Sequence, residues 1–382
     1  MSIDLDVTVT AVDHALLVGT RPRIIGKNSQ KDTHGQYIYE PVIRIHTDSG
    51  VTGWGWSKGT KTAAKSLLDK KVSELFDLDV GTNQSYLDFD FPIWDLVGRL
   101  LSVSVHELLG NSGDATIPIY DGSIYIDEID IKTGRDEGVG PILNAVRMGS
   151  NHGFRDFKIK VGRSFKWMKG YPGIKRDIEV IRSVRDLIGP ESMIAIDANN
   201  GYTFQEVEQV LLATEDCDIY WIEEPFRESL GKHLELHQRL KDLGLNLLIA
   251  DGEYLEESTE SVNKFTELVK TGAVDVVQFD MLWYSLSKWK QYMTVVTQNN
   301  VLISPHSFGS YLAGFYIAQF GLGVGRLATV EMDIMSMHCV ESDKYTIREG
   351  KLEVPDCNGF GLVLDHKSFD KEVLKSGWKL RL

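Results

Sequence analysis

From about residue 117 to residue 331 the chain alternates short apolar, β-branched runs with longer amphipathic segments. No other feature narrows the fold as much, because that alternation is the mark of repeated βα units. Eight runs read as strands: Ile117–Tyr120, Phe157–Val161, Met193–Asp197, Ile219–Glu223, Leu247–Ala250, Val274–Phe279, Val301–Ser304 and Ala328–Glu331. Helices such as Asp177–Ile188 and Phe204–Thr214 lie between them, the second opened by a capping box of Thr203 and Glu206. Eight such units over roughly 230 residues fit a (β/α)8 TIM-type barrel, which takes about 250. A doubly wound sheet would need a glycine-rich turn after an early strand, and none is present.

The flanks have a different texture, and 382 residues exceed one ordinary core. Residues 1–60 read as antiparallel sheet: Val7–Val12, Tyr39–His46, and a hairpin through Asp48-Ser49-Gly50 into Val51–Trp56. The polar stretch Arg21–Gln36 reads as a long flexible loop, placed to act as a lid. Helices follow to about 110. From Gly350 short strands and turns return, and this tail is expected to rejoin the N-terminal region. The expected division is an α+β capping domain over 1–115, the barrel over 116–345 and a C-terminal segment over 346–382.

A net charge of −14 argues against a nucleic-acid or anionic-membrane surface. The opening Met-Ser-Ile-Asp-Leu-Asp lacks a signal peptide's basic start, and no run reaches membrane-span length. Three widely spaced cysteines, Cys217, Cys339 and Cys357, imply a reducing, cytoplasmic setting and no zinc cluster.

The chemistry lies where the apolar runs end. Ile219-Tyr220-Trp221-Ile222 leads straight into Glu223-Glu224-Pro225, and acids at the mouth of a buried strand are costly unless a positive partner meets them. Strand C-terminal ends in a barrel point into one mouth. Read in order, those ends carry Lys158 and Lys160, Asp197, Glu223, Glu253, Asp280, His306 and Glu331, spaced after the first step about one βα unit apart. Lys158 and Lys160 share a strand face, since side chains alternate with period two. Asp197, Glu223 and Glu253 would repel one another without a cation, and all-oxygen ligation suits Mg2+. Asp251, two residues before Glu253, is an equal candidate on these grounds. Asp280 beside His306 would fix the imidazole tautomer and raise its basicity.

Taken together, Lys158-Ile159-Lys160, Asp197-Ala198-Asn199, Glu223-Glu224-Pro225, Gly252-Glu253, Asp280, Ser304-Pro305-His306 and Glu331 resemble the enolase superfamily, mandelate racemase subgroup. The resemblance extends to Asp95–Arg99, Val354-Pro355-Asp356 and Gly359-Phe360-Gly361, so it spans nearly the whole chain. It implies one Mg2+ held by Asp197, Glu223 and Glu253, which favours Glu253 over Asp251. It further implies Lys160 as a base, Lys158 beside the substrate carboxylate, and His306 with Asp280 as a second base. Glu331 would be the acid hydrogen-bonding the enolate oxygen, and Asn199 a substrate contact. Even-numbered homo-oligomers are also implied. The sequence departs from the pattern at Met281–Tyr284, in an apparent insertion over Arg163–Arg176, and at Asn358.

The expected reaction starts by removing the proton α to a carboxylate, with Lys160 kept neutral by burial and by Lys158. The polar lid favours dehydration of an acid sugar to a 2-keto-3-deoxy acid. A racemase or epimerase of a 2-hydroxy acid is the alternative, and a noncatalytic binding barrel a second. Trp54 and Trp56 read as sheet-packing aromatics rather than pocket walls.

Overall fold

The computed structural model describes residues 5–110, 116–130, 132–254 and 258–382. The opening residues 1–4 lie outside them. Strand Thr116–Ile124 pairs in parallel with Asp156–Lys160, and the ladder continues through Ile194–Asp197, Ile219–Glu223, Leu248–Asp251, Val276–Val277 and Leu302–Ile303. On its other side Thr116–Ile124 pairs in parallel with Val330–Met332. Ile303 bridges Leu327 in parallel, its N–H donating to Arg326 O at 3.0 Å while Ala328 N donates to Ile303 O at 2.8 Å. The strands expected over 274–279 and 301–304 are shorter than their apolar runs, because the flanking residues turn early into the loops at the sheet's end.

Parallel strands covered on both faces need apolar residues at successive positions, which is why these runs look continuous. The two faces separate cleanly. Tyr120, Ala195, Trp221, Ala250 and Val276 form a small cluster of their own, with Leu302 and Ala328 against it. Their neighbours Ile196, Ile222, Ile249 and Val277 join the main core. Helices Gly140–Asn151, Tyr171–Ile188, Phe204–Ala213, Leu230–Asp242, Thr259–Lys270, Leu286–Gln298 and Leu312–Val324 follow the strands in turn. Thr203 and Glu206 make the expected capping box.

The N-terminal strands are longer than expected. Val9–Ile25 and Gly35–Thr47 pair antiparallel, and Thr52–Trp56 adds to the second. The anticipated Arg21–Gln36 loop therefore shrinks to 26–34, and that segment is tied down. Gly26 N donates to Asp127 Oδ1 at 2.8 Å, Ile126 N to Lys27 O at 2.8 Å and Trp167 Nε1 to Asn28 O at 2.6 Å. Trp54 and Trp56 are buried in this region, Trp56 edge-on to Phe91.

The tail returns as expected at its end, where Trp378–Arg381 pairs with Ala11–His14. Two details differ. Ser336–Met337 and Val340–Glu341 already belong to the antiparallel sheet. The hairpin Thr346–Glu353 pairs instead with Thr116–Pro118, where it buries Leu352 across from Ile117. Asp95 and Arg99 pair at 2.6 Å and fasten the tail, through Phe360 N to Asp95 Oδ1 at 3.1 Å and Arg99 Nη2 to Leu362 O at 3.0 Å. Gly359 sits there at φ 66°, and a Cβ on it would lie 3.0 Å from Asp95 O and overlap the Asp95 carboxylate. No helix among the described residues is long and apolar enough to cross a membrane.

Candidate active site

The parallel register places the strand ends side by side. Lys160 is level with Asp197, and Asp197 with Glu223. Asp197, Glu223 and Glu253 each bring a carboxylate oxygen within 4.8 Å of the others. Asp197 and Glu223 are fully buried, and Glu253 Oε2 is buried without a hydrogen-bond partner. An all-oxygen trio with an orphaned oxygen fits a hard divalent cation such as Mg2+.

The amines complete the charge pattern. Lys158 Nζ lies 2.6 Å from Glu223 Oε1, 2.9 Å from Glu331 Oε1 and 3.6 Å from Asp197 Oδ2. Lys160 Nζ bonds the Asp197 carboxylate. Tyr120 lies beneath Lys158 and Tyr125 beneath Lys160, with ring centroids 5.5 and 5.1 Å from the nitrogens. The expected lowering of the Lys160 pKa is reversed here. Burial would lower it, and so would Lys158, but the charges of Asp197, Glu253 and Glu223 together outweigh both, and the ammonium is held above its usual range. Burial pushes the Glu223 carboxyl up to about 8, with Asp197 adding to it. The same carboxylates that suit a cation also keep the lysines protonated, so cation and lysine protons compete for one set of oxygens.

His306 and Asp280 meet as expected, Nδ1 to Oδ2 at 2.8 Å. Asp280 also caps the short helix Met281–Tyr284, its Oδ1 accepting from Leu282 N and Trp283 N at 2.9 Å each. Met281–Tyr284, where the family pattern is broken, thereby anchors the carboxylate that orients His306. His306 Nε2 lies 3.4 Å from Glu253 and 3.9 Å from Glu331. Burial disfavours the imidazolium, but Glu253, the Asp280 hydrogen bond and Glu331 together raise its pKa to about 9. Glu331 Oε2 accepts from Ser307 N at 3.1 Å and Phe308 N at 3.0 Å. Burial would raise the Glu331 pKa, yet Lys158 and His306 hold it at about 2, so it stands as a carboxylate rather than a proton donor.

Asn199 is buried at φ 42°, its N–H donating to Asp197 Oδ1 at 2.8 Å and its Oδ1 left without a partner. Asp251 turns away from the trio. It pairs with His233 Nε2 at 2.9 Å and groups with Glu224 and Glu228 in a separate acidic cluster. Two further residues hold the site. Gln278 Nε2 and Trp221 Nε1 donate to Glu223 Oε2 at 2.8 and 3.2 Å. Period two would have found Trp221, which shares a strand face with Glu223.

Comparisons with known proteins identify the family. The family described as "Enolase C-terminal domain-like" matches residues 143–368. Arabinonate dehydratase from Saccharolobus solfataricus is 28% identical over 296 residues, covering 75% of this chain and 71% of that protein. The crystal structure of a galacturonate dehydratase from Geobacillus sp., complexed with D-galacturonate and 5-keto-4-deoxy-D-galacturonate, superposes with a TM-score of 0.90. It is 30% identical and covers 98% of this chain and 99% of that one. A mandelate racemase/muconate lactonizing protein from Geobacillus sp., complexed with magnesium and tartrate, has a TM-score of 0.92 at 30% identity, covering 100% and 99% of the two chains. This chain belongs to the enolase superfamily, in its mandelate racemase/muconate lactonizing group.

Proposed function

We propose that this protein is a Mg2+-dependent hydro-lyase that dehydrates an acid sugar, an aldonate or aldarate, to a 2-keto-3-deoxy acid. The observation that carries the reading is the carboxylate trio of Asp197, Glu223 and Glu253 beside Lys160, with the Asp280-backed His306 at the same mouth. The galacturonate dehydratase at 30% identity supports it. Counted from the carboxylate, its 5-keto-4-deoxy product has a ketone at the α-carbon and a methylene at the β-carbon. Those are the changes left by losing an α-proton and a β-hydroxyl.

Mg2+ held by Asp197, Glu223 and Glu253 supplies positive charge at the substrate carboxylate, which makes the α-proton acidic enough to remove. Lys158 lies where it can pair with carboxylate oxygens, as it now does with Glu223 and Glu331. Lys160 takes the α-proton. His306 gives its Nε2 proton to the β-hydroxyl as the C–O bond breaks, so the group leaves as water. The resulting enol takes up a proton at the β-carbon and becomes the ketone. Asp280 stabilises the charged imidazole before transfer. Glu331 holds Lys158 and borders the oxygens that gain charge, and Asn199 Oδ1 offers an acceptor to the substrate.

We read the parallel strands as a closed (β/α)8 barrel, supported by the Ile303–Leu327 and Val330–Ile119 pairings and by the enclosed cluster around Trp221. The antiparallel sheet formed by the N-terminal strands and the returning tail then serves as its cap, while the Thr346–Glu353 hairpin extends strand Thr116–Ile124. A cytoplasmic homo-oligomer belongs to the same reading. The test is a Mg2+-dependent screen of acid sugars that detects keto acid. Lys160→Ala and His306→Asn should each cut turnover of any hit by about 10³-fold or more. Retained turnover in both variants would refute the assignment.

A further inference from the structure

One face of the parallel strands is apolar until it reaches the site. Val276 lies on it, in the small cluster with Trp221, and Leu302 and Ala328 pack against that cluster. Gln278 stands two residues beyond Val276, so period two puts it on the same face. The ladder still runs there, with Gln278 N donating to Asp251 O at 3.0 Å. The side chain is buried. A buried amide costs stability unless both its ends are bonded. Gln278 satisfies one end. Its Nε2 donates to Glu223 Oε2 at 2.8 Å, while its Oε1 has no partner among the described residues. Methionine would fill the same space and strand no oxygen, so packing does not account for a glutamine here.

The N–H donor does account for it. A carboxylate oxygen offers two lone-pair sites. Glu223 Oε2 accepts from Gln278 Nε2 and from Trp221 Nε1, the latter at 3.2 Å, so both sites are filled. The indole is itself held, fully buried and edge-on to Tyr120 at a centroid distance of 5.6 Å. Glu223 Oε1 meets Lys158 at 2.6 Å. Lys158 has a second carboxylate, Glu331, at 2.9 Å. The two oxygens therefore differ: Oε2 is committed to fixed neutral donors, and Oε1 to an ammonium that has another partner within reach.

We infer that Gln278 is a positioning residue for the metal centre: with Trp221 it reserves Glu223 Oε2, and so presents Oε1 as the oxygen that binds the cation once Lys158 releases it. The inference rests on the Mg2+ reading of the carboxylate trio. Groups that bond a ligating carboxylate fix its orientation, and losing one costs about 10- to 100-fold in metal affinity.

The test is calorimetric titration of the metal-free full chain with Mg2+. Gln278→Met should weaken binding about 10- to 100-fold. Trp221→Phe keeps a ring against Tyr120 and removes the other donor, so it should weaken binding in the same sense. Double variants isolate the contact. In a Glu223→Gln background either substitution should cost no more than about twofold, whereas in a Glu253→Gln background its full loss should persist. Binding within about twofold of wild type in Gln278→Met would overturn the inference. So would an equal loss in the Glu223→Gln background, which would mark a merely structural role. Should Gln278→Met fail to fold, Trp221→Phe decides by the same two criteria. A wild type that binds no Mg2+ would overturn the metal reading itself.

Discussion

Arg163 offers the sharpest stability test, because its partners are buried and enumerable. It is fully buried, with Nε 2.5 Å from Glu128 Oε1, Nη2 3.2 Å from Oε2 and Nη1 2.7 Å from Asp177 Oδ1. Glu128 and Asp177 are equally buried. Replacing Arg163 with Met keeps the volume and strands two carboxylates. Breaking such a group by removing one partner costs about 3–5 kcal/mol. In a chain of this length each kcal/mol moves Tm by about 1–2 °C, so scanning calorimetry should show a drop of about 3–10 °C. Glu128→Gln removes one stranded charge, so the double variant should recover about 1–3 kcal/mol relative to the sum of the singles. Nη1 also donates to Lys160 O at 2.9 Å, so the base loses an anchor and kcat should fall as well. A Tm within about 1 °C of wild type, or strict additivity in the double variant, would refute the reasoning.

Three other outcomes follow from single contacts. Glu40 is buried and its pKa is raised to about 7 by burial, so its contribution to stability is complete below about pH 4.5 and lost as pH rises through 7. Denaturant titrations should show about 3 kcal/mol less pH dependence over that window in Glu40→Gln, and identical slopes would count against it. A Cβ on Gly122 would overlap Glu331 Oε1 and lie 2.7 Å from its Cγ, so Gly122→Ala should lower kcat/KM about 10- to 100-fold with the fold retained; rates within about twofold of wild type would contradict this. Glu253→Gln removes one anionic ligand and should weaken Mg2+ binding about 10-fold or more by calorimetry, whereas Asp251→Asn should leave it nearly unchanged; the reverse ranking would reassign the third ligand.

Much of this site was legible in the sequence because of what parallel strands demand. Ile219–Glu223 must be apolar until it leaves the core, so the first charged residue marks both the strand's end and the site. Lys158 and Lys160 were readable from period two alone. The lid was not. Nothing in Arg21–Gln36 distinguishes polar groups that contact solvent from polar groups that bond Asp127, Asp333 or Ile129 across a hundred residues or more. The buried Arg163 group was hidden for the same reason, since Glu128 and Asp177 sit far from it in sequence. What looked like an insertion around Arg163 instead carries the charge that pins the Lys160 backbone.

The protonation of Lys160 depends on contacts that the sequence does not display. Burial and a neighbouring ammonium both lower a lysine pKa, and the sequence displays both. It does not display that Asp197 bonds Lys160 directly while Lys158 is held by Glu223 and Glu331. Two amines and three carboxyl groups thus share one small volume, with Asp197 touching both amines, Glu223 touching Lys158, and Glu331 touching Lys158 and His306. A ligand that takes the Asp197 and Glu223 oxygens necessarily weakens their hold on the amines. The basicity of Lys160 is therefore a property of how those oxygens are occupied, and cannot be assigned to the lysine's burial alone.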